Sequence, residues 1–402
     1  MGLRRRADHS RRAALVIVVA GAGVRIALAA QLWRTPLDPD AREYVRLAKG
    51  FSYLRPWAAS PREPLWVGLV KSATAPFGYS AHSLRVLGVV LAVAGLAAAW
   101  TFLSHVASRR VALVALGILA LDPQLVYDAV RGLREPLTLL LMIPLLATLI
   151  GGDDDAQLAR LRRLVPSTLV ALLLVRWELG MLALVLALAA VIARRLRARR
   201  FVLAVVVGGA LVAPWLVANG HRYGDALYHS NRAAVFARNL DVVYGGKPGP
   251  RPTTPYSGPP ITWTDYYLHF LGPREAAVRE VSGTVANLHR LLEGYPEPPW
   301  PGWPATGAVG RATAVGRAVV LSVAASLALV ALVGTRPPQR RRVWICSMIV
   351  LVDAAAYGVA SRRVDYRGLT WAAPAVAFVV ATGVDVIVRR LRNERPPMTS
   401  GL

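Results

Sequence analysis

Long apolar stretches separated by short polar segments are the dominant pattern of the chain. The hydrocarbon core of a bilayer is about 30 Å thick, so a run of about 20 mostly apolar residues predicts a membrane-spanning helix. Such runs lie at 13–33, 82–104, 111–127, 135–150, 164–176, 178–193, 201–218, 313–333, 343–360 and 369–388. The fifth and sixth are short and meet at Arg176, which predicts a tight hairpin or a re-entrant pair. The sequence therefore predicts an all-α, polytopic membrane protein with about ten transmembrane helices.

The composition agrees with a membrane protein. Of the 402 residues, 55% are hydrophobic and 18% are charged, whereas a soluble domain has about 25% charged residues. The net charge of +25 comes mostly from arginines in short runs between the apolar stretches, which is typical of cytoplasmic loops and not of a nucleic-acid-binding face. These features exclude an ordinary cytosolic enzyme and a nucleic-acid partner. A single cysteine, Cys346, provides neither a disulfide framework nor a cysteine-based metal site.

The arginine runs also predict the orientation, because Lys and Arg in short loops stay on the cytoplasmic side. The runs are Arg4–Arg12, Arg109–Arg110, Arg160–Arg163, Arg194–Arg200, Arg340–Arg342 and Arg389–Arg392. They alternate correctly with ten spans if both termini are cytoplasmic. The outer segments are then 34–81, 128–134, the hairpin at 177, 219–312 and 361–368. We therefore expect a multi-pass protein of the cell membrane with its active site on the outer face. A signal peptide is the alternative for the N-terminus, although its apolar run exceeds the usual 7–15 residues.

The first outer segment carries closely spaced carboxylates. Apolar residues recur at helical spacing between residues 41 and 48, which predicts a short amphipathic helix at the membrane interface. Asp40 stands at the start of this helix, and Glu43 follows three residues later. This spacing fits a capping box. It also fits a carboxylate held at the membrane–water boundary as a general base, with Tyr44 beside it.

Two further outer segments combine arginines with carboxylates. In the segment 60–66, Arg62 is a candidate for gripping a lipid-borne phosphate, since a guanidinium binds phosphate oxygens with two hydrogen bonds. An ion pair with Glu63 or a lipid headgroup is the alternative. In the segment 127–137, Asp128, Arg131 and Glu135 share one face if the segment is helical. The alternative there is a simple ion pair in a loop.

The long outer segment is rich in aromatic residues, including the compact run Trp263-Thr264-Asp265-Tyr266-Tyr267. Aromatic faces stack on sugar rings, and they also anchor loops at the membrane interface. Long loops are commonly functional lids. We therefore assign acceptor recognition to this segment.

Together these segments resemble the integral-membrane glycosyltransferases of the GT-C type, which use polyprenyl-phosphate sugars and include protein mannosyltransferases and the lipid A aminoarabinose transferase. The resembling elements are Asp40-Ala41-Arg42-Glu43-Tyr44, Pro61-Arg62-Glu63-Pro64-Leu65-Trp66, Pro123-Gln124-Leu125-Val126-Tyr127, Arg134-Glu135-Pro136-Leu137, Pro214-Trp215-Leu216-Val217-Ala218-Asn219 and Asp365-Tyr366-Arg367. The resemblance implies a GT-C-like fold, with amphipathic interfacial helices in the first outer loop. Many members have two adjacent acidic residues in this loop, whereas here Pro39 separates Asp38 from Asp40, so both aspartates stay candidates.

The resemblance implies an inverting transfer from a polyprenyl-phosphate-linked sugar to a glycan, lipid or protein acceptor. The catalytic candidates are Asp40 and, as the alternative, Asp38. The donor-phosphate candidates, which would stabilise negative charge on the leaving group, are Arg62, Arg131, Arg134 and Arg367. The substrate-binding candidates are Glu43, Tyr44, Glu63, Asp128, Glu135, Trp263 and Tyr366.

Three regions follow from this interpretation. Residues 1–218 form the N-terminal transmembrane core with the catalytic first outer loop at 34–81. Residues 219–312 form the long outer loop, and residues 313–402 form the C-terminal transmembrane helices and a cytoplasmic tail. Within the first span, Arg25 is expected to form a structural ion pair beneath the site.

We expect no cofactor, because a monophosphate leaving group requires none and the histidines show no metal-ligand spacing. A divalent cation on Asp38 and Asp40 is the alternative. Two other functions are compatible with ten spans and a large outer loop. One is a polysaccharide polymerase or ligase, and the other is a transporter of lipid-linked glycans. The acidic first outer loop favours the glycosyltransferase.

Overall fold

The computed structural model describes residues 2–59, 62–151, 156–226, 272–293, 307–337, 339–356 and 369–392. All regular structure in these ranges is helical. The helices are α1 (Gly2–Gln31), α2 (Pro39–Gly50), α3 (Pro64–Thr74), α4 (Ala81–Val106), α5 (Arg109–Leu121), α6 (Pro123–Asp128), α7 (Glu135–Ile150), α8 (Ala156–Val175), α9 (Trp177–Ile192), α10 (Ala198–Tyr223), α11 (Gly272–Glu293), α12 (Gly307–Gly334), α13 (Gln339–Ala356) and α14 (Ala373–Leu391). Short 3-10 turns lie at Pro56–Ala59, Ala75–Phe77 and Thr370–Ala372.

Helix is present at each of the predicted apolar stretches, and α7 has the predicted bounds. The stretch 111–127 is not one helix, however. The carboxylate of Asp122 accepts a hydrogen bond from the backbone N–H of Leu125 at 2.9 Å, so Asp122 is the N-cap of α6. Pro123 occupies the first turn, where its missing N–H costs nothing. This local capping chemistry divides the apolar run into α5 and α6.

By length and apolarity, four helices in the described ranges are long enough to cross a membrane: His9–Gln31, Ala81–Val106, Ala198–Tyr223 and Thr370–Leu391. Shorter apolar helices are Glu135–Ile150, Trp177–Ile192 and Ala318–Gly334. The total of about ten spans stays a prediction.

The core of the molecule is formed around α5, α7 and α14. Helix α7 is apolar all round and nearly all of its residues are buried, which is expected of a helix surrounded by others. It contacts α4 and α8, while α5 contacts α1, α4 and α14. In contrast, α1, α10 and α12 leave many large apolar side chains exposed, for example Val16, Val206 and Val323. Such faces are suited to contact with lipid chains.

Helices α2 and α3 form a smaller apolar cluster against the bundle. Its buried residues include Tyr44, Trp66 and Val67, together with Leu84 of α4 and Val175 at the end of α8. The structure thus has a helix where the sequence predicts the first-loop helix, and a second helix in the same loop, α3, whose bounds were not predicted. The location of α2 at the membrane interface stays a proposal.

The cap of α2 differs from the expectation. Asp38, not Asp40, is the N-cap, and its side chain accepts a hydrogen bond from the backbone N–H of Asp40 at 3.3 Å. Pro39 then opens the first turn. The capping-box interpretation of Asp40 and Glu43 is therefore wrong, because a proline in the first turn moves the cap two residues towards the N-terminus.

Part of the predicted long outer loop is the helix α11, which packs against α12 and α13. Its buried Asn287 donates a hydrogen bond to the backbone carbonyl of Ala354 at 2.9 Å. This contact joins α11 to the last turn of α13 and satisfies a carbonyl that the end of the helix leaves without an intrahelical partner.

Candidate active site

Four segments of the chain meet at one end of the bundle. They are the first turn of α2, residues 62–63 before α3, the turn 129–134 between α6 and α7, and the break at Arg176 between α8 and α9. Each segment lies at a helix end, where backbone groups and charged side chains need partners. The structure therefore brings together most of the predicted site residues, although they are far apart in sequence.

Asp38 connects α2 to the turn before α7. Besides capping α2, its carboxylate accepts hydrogen bonds from Nε of Arg131 at 3.1 Å and from Nη2 of the same guanidinium. Both oxygens of Asp38 are thus engaged, one by the backbone and one by Arg131. This arrangement orients the first turn of α2, so Asp38 has a clear positioning role.

Asp40 is the more accessible of the two aspartates. Its side chain retains 27% exposure, and its Oδ1 lies 3.3 Å from Nη2 of the buried Arg62. The Arg62 guanidinium also lies over the ring of Tyr44, with Cζ 5.4 Å from the ring centroid. Its Nη1 is buried without a hydrogen-bond partner in the described part of the structure. Arg62 is therefore held beside Asp40 with one donor nitrogen still unsatisfied.

The ring of Tyr44 packs against the guanidinium of Arg62. Its ring is buried and meets the ring of Trp66 edge to face, with centroids 6.2 Å apart. Burial raises the pKa of the Tyr44 hydroxyl, so it stays protonated at neutral pH. Tyr44 thus contributes packing and a cation–π contact and is not a source of negative charge.

Arg134 and Glu63 form a buried ion pair. Nη1 of Arg134 lies 2.5 Å from Oε2 of Glu63 and also donates to the backbone carbonyl of Val175 at 2.8 Å. The other oxygen of Glu63 accepts from the backbone N–H of Trp177 at 3.4 Å. Burial lowers the pKa of Arg134, but the nearby carboxylates, Glu63 above all, outweigh burial and raise it above its usual range. The guanidinium therefore stays charged and connects three segments.

Two more acid–arginine contacts complete the cluster. The buried Asp128 lies 3.8 Å from Nη1 of Arg131 and accepts a hydrogen bond from the side chain of Gln124 at 2.9 Å. On the other side, Glu135 lies 3.6 Å from Nη1 of Arg176. We call the set Asp38–Arg131, Asp128–Arg131, Asp40–Arg62, Glu63–Arg134 and Glu135–Arg176 the paired cluster.

Residues 129–134 form a turn between α6, which ends at Asp128, and α7, which begins at Glu135, so Asp128, Arg131 and Glu135 do not share one helix face. Gly132 adopts φ +76°, a conformation that L-residues with a side chain rarely adopt. A Cβ atom at this position would also lie 2.8 Å from the side chain of Leu84. The loop ion pair, which the sequence analysis gave as the alternative, is the arrangement present.

Glu43 is partly exposed and pairs with Arg46 of the same helix. Its carboxylate accepts two hydrogen bonds from Arg46, at 2.6 and 2.8 Å. The hydrogen bonds with Arg46 lower the pKa of Glu43, so it is ionised at neutral pH. Its assignment to substrate binding stays a prediction.

One supporting arginine, Arg85, was not among the predicted site residues. Arg85 of α4 donates to the carbonyls of Val130 at 2.8 Å and Thr35 at 2.5 Å, and so holds both the turn and the first loop. An arginine inside an apolar stretch was the available signal, because such residues are costly in a membrane and usually have a specific partner. Arg25 likewise donates to backbone carbonyls, that of Ala120 at 2.7 Å and that of Gly21 at 2.9 Å. The structural ion pair predicted for Arg25 stays a prediction.

Trp263, Tyr366 and Arg367 lie outside the described residues, so their predicted roles stay predictions. In the described ranges, no group of three or more His, Cys, Asp or Glu side chains is placed to hold a metal ion. Asp38 and Asp40 each contact an arginine. The expected absence of a cofactor and the alternative of a divalent cation on these two aspartates both stay predictions.

Comparison with known proteins gives a relationship at the level of fold. No protein-family model matches the chain, and no curated protein matches it by sequence. A similar solved structure is the archaeal oligosaccharyltransferase AglB from Archaeoglobus fulgidus in complex with an inhibitory peptide and a dolichol-phosphate. It has 16% sequence identity, a TM-score of 0.51, and covers 96% of this chain and 52% of that chain.

Two further structures of the Archaeoglobus fulgidus oligosaccharyltransferase are similar. The apo form has 13% identity, a TM-score of 0.45 and coverage of 94% and 52%. The complex with Zn and sulfate has 17% identity, a TM-score of 0.46 and coverage of 94% and 50%. The chain therefore spans about half the length of these proteins. Because AglB is a GT-C superfamily glycosyltransferase, the likeness to its first structure confirms the GT-C-like fold that the sequence predicted.

Proposed function

We propose that the protein is a membrane glycosyltransferase that moves a sugar from a polyprenyl-phosphate donor to an acceptor on the outer face of the cell membrane. The observation that carries this proposal is the position of Asp40. It is a partly exposed carboxylate at the start of α2, beside a buried arginine, within a GT-C-like fold. The dolichol-phosphate and the peptide in the AglB complex favour a lipid-phosphate donor and a protein acceptor.

In this proposal Asp40 is the general base. It takes a proton from an acceptor hydroxyl as the acceptor oxygen attacks the anomeric carbon of the sugar. The bond from this carbon to the phosphate oxygen breaks, and the bond electrons leave with the polyprenyl phosphate. A single displacement inverts the configuration at the anomeric carbon. Asp40 suits this role better than Asp38, because the carboxylate of Asp38 is occupied by the cap of α2 and by Arg131.

Arg62 is the proposed contact for the leaving phosphate. A second anionic oxygen beside the guanidinium would satisfy its buried Nη1, and the positive charge would stabilise the departing oxyanion. Exchange of Arg62 from the Asp40 carboxylate to the phosphate would also remove one ion pair that opposes protonation of Asp40. Arg134 is instead assigned to positioning, because Glu63 and the carbonyl of Val175 already use its guanidinium. Arg131 positions Asp38 in the same way.

The test compares two carboxylate-to-amide variants of the purified full-length chain. Asp40→Asn removes the base, and removal of a general base typically slows a reaction by about 10²–10⁴-fold. We therefore expect transfer at least about a hundredfold slower, with donor binding retained. Asp385→Asn is the matched control, since Asp385 also contacts an arginine, Arg389 at 2.7 Å, but lies near the end of α14. It should keep normal turnover.

The donors are synthetic polyprenyl-phosphate hexoses and pentoses, and the acceptors are simple glycosides and hydroxyl-bearing peptides. Mass spectrometry of lipid-linked intermediates in a deletion strain identifies the donor to use first. Full turnover by Asp40→Asn together with loss in Asp38→Asn would move the base to Asp38. Full turnover by both variants would leave the first loop without a catalytic role and overturn the proposal.

A further inference from the structure

A second charged region lies at the other end of the same helices. It is a cavity of about 520 Å³ between the start of α8, the end of α9 and the start of α10. Six arginines line it: Arg162, Arg163, Arg194, Arg195, Arg197 and Arg200. The described lining residues include no carboxylate. We call this feature the arginine cavity.

The arginine cavity is separate from the candidate active site. Helices α7 and α9 begin at the paired cluster and end at the cavity, and α8 runs in the opposite direction between the same two regions. Helix α7 has 16 residues, which corresponds to about 24 Å at a rise of 1.5 Å per residue. A ligand in the cavity therefore does not touch the paired cluster.

Local structure holds the cavity in shape. Nη1 of Arg195 donates to the carbonyls of Leu149 at 2.5 Å and Gly151 at 3.0 Å, so it binds the carboxyl end of α7. This contact fixes the connection between α9 and α10 against α7. Arg197 then precedes the first turn of α10, which has no side-chain cap. The unsatisfied N–H groups of that turn add partial positive charge beside the arginines.

Positive charge predominates among the residues that line the arginine cavity. In the described part of the chain, the side chains of Arg163, Arg194, Arg197 and Arg200 form no ion pair. Three aspartates at 153–155 lie outside the described residues, and complete neutralisation by all of them would still leave half of the six positive charges. Like charges around one cavity repel each other, so a bound anion would stabilise this arrangement.

The surroundings of the cavity indicate a lipid and not a soluble anion. Helix α10 is one of the four candidate spans, and the cavity lies at its first turn, hence at a membrane boundary. Large apolar side chains within three residues of the lining residues are exposed: Leu164 (49%), Ile192 (76%) and Leu203 (57%). A headgroup in the cavity would place its acyl chains against such apolar faces.

We propose that the arginine cavity binds the headgroup of an anionic phospholipid in the leaflet at that end of the bundle. The phosphodiester contacts the guanidinium groups, which match phosphate oxygens in pairs of hydrogen bonds. Basic cavities between membrane helices are suited to such headgroups. The lipid thereby fixes the depth of α8, α9 and α10 in the bilayer.

The experiment uses the full-length protein in neutral detergent. Native mass spectrometry measures the binding of phosphatidylglycerol and of phosphatidylcholine with the same acyl chains, with glycerol 3-phosphate and inorganic phosphate as competitors. The test variant is Arg194→Gln/Arg197→Gln/Arg200→Gln, which spares the helix contact of Arg195. The control, Arg336→Gln/Arg340→Gln/Arg341→Gln, removes the same charge from exposed arginines at another loop.

We expect phosphatidylglycerol to bind at least about tenfold more tightly than phosphatidylcholine, and the test variant to lose at least about tenfold of that affinity. The control should change less than about twofold. Equal losses in both variants would show general surface attraction and overturn the proposal. Displacement of the lipid by glycerol 3-phosphate or phosphate at equal concentration would assign the cavity to a soluble anion and equally overturn it. If the triple variant does not fold, Arg200→Gln alone should still lose about two- to fivefold.

Discussion

The two charged ends of the bundle are organised in opposite ways. In the paired cluster each arginine faces a carboxylate, and the members of the pair Arg134–Glu63 are fully enclosed. In the arginine cavity, charges of one sign line an open space. Charge pairing lets a protein bury ions next to reacting groups, because an unpaired buried ion is very costly. A cavity lined by charges of one sign is instead destabilised by repulsion between them. A bound ligand of opposite charge relieves this repulsion.

The comparison also relates the two ends to membrane orientation. The positive-inside rule counts Lys and Arg in short loops, and the arginines between α9 and α10 lie in such a loop. The sequence therefore predicts that the arginine cavity is cytoplasmic and that the paired cluster, at the opposite ends of α7, α8 and α9, is on the outer side. Both placements stay predictions.

The largest expected effect concerns this orientation, because labelling from one side is all or none. In a Cys346→Ala background, Arg42→Cys on the exposed face of α2 should react with a membrane-impermeant maleimide on intact cells. Arg197→Cys should react only after permeabilisation. Cys346 is buried, so we expect it to react little with the maleimide. Its replacement ensures that all labelling comes from the introduced cysteine. Reaction of both positions from the same side would abolish the assignment of the two ends to opposite faces.

The second effect concerns stability. Arg134→Met leaves the buried carboxylate of Glu63 without its partner, and breaking a buried pair in this way costs about 3–5 kcal/mol. Arg197→Met at the arginine cavity should change the free energy of unfolding by less than about 0.5 kcal/mol. Titration with a denaturing detergent measures both changes.

The double variant Arg134→Met/Glu63→Gln should recover part of the lost free energy of unfolding, since it also removes the negative charge of Glu63. A double variant as unstable as Arg134→Met would show that lost packing, not charge, is responsible.

The two ends also differ in how far the sequence predicts them. The arginine runs are local, so their positions and the bounds of α7 follow directly from the order of apolar and charged residues. The paired cluster depends on contacts between residues distant in sequence. Arg134 and Glu63 are separated by 71 positions, and no local pattern specifies which carboxylate an arginine will meet.

Local chemistry accounts for the other differences between the elements predicted from the sequence and those of the structure. Asp38 and Asp40 are equally good caps by residue type, and only the proline between them decides which one begins α2. Asp122-Pro123 divides an apolar run in the same way. Arg85 was not predicted because its partners are backbone carbonyls, which the sequence does not distinguish from any others.

The smallest expected effect concerns Arg194, which lines the arginine cavity with φ +57°. This left-handed conformation costs a residue with a side chain about 1–2 kcal/mol, and glycine adopts it without that cost. Arg194→Gly should therefore raise the free energy of unfolding by about 0.5–1 kcal/mol while weakening phosphatidylglycerol binding.

Arg199→Gly, at the second residue of α10, is the matched control. It should lower stability slightly, because glycine disfavours a helix. A loss of stability in Arg194→Gly would mean that the arginine is kept for its contacts in the fold. A gain in stability with weaker lipid binding would mean that backbone strain persists there because the cavity needs the charge.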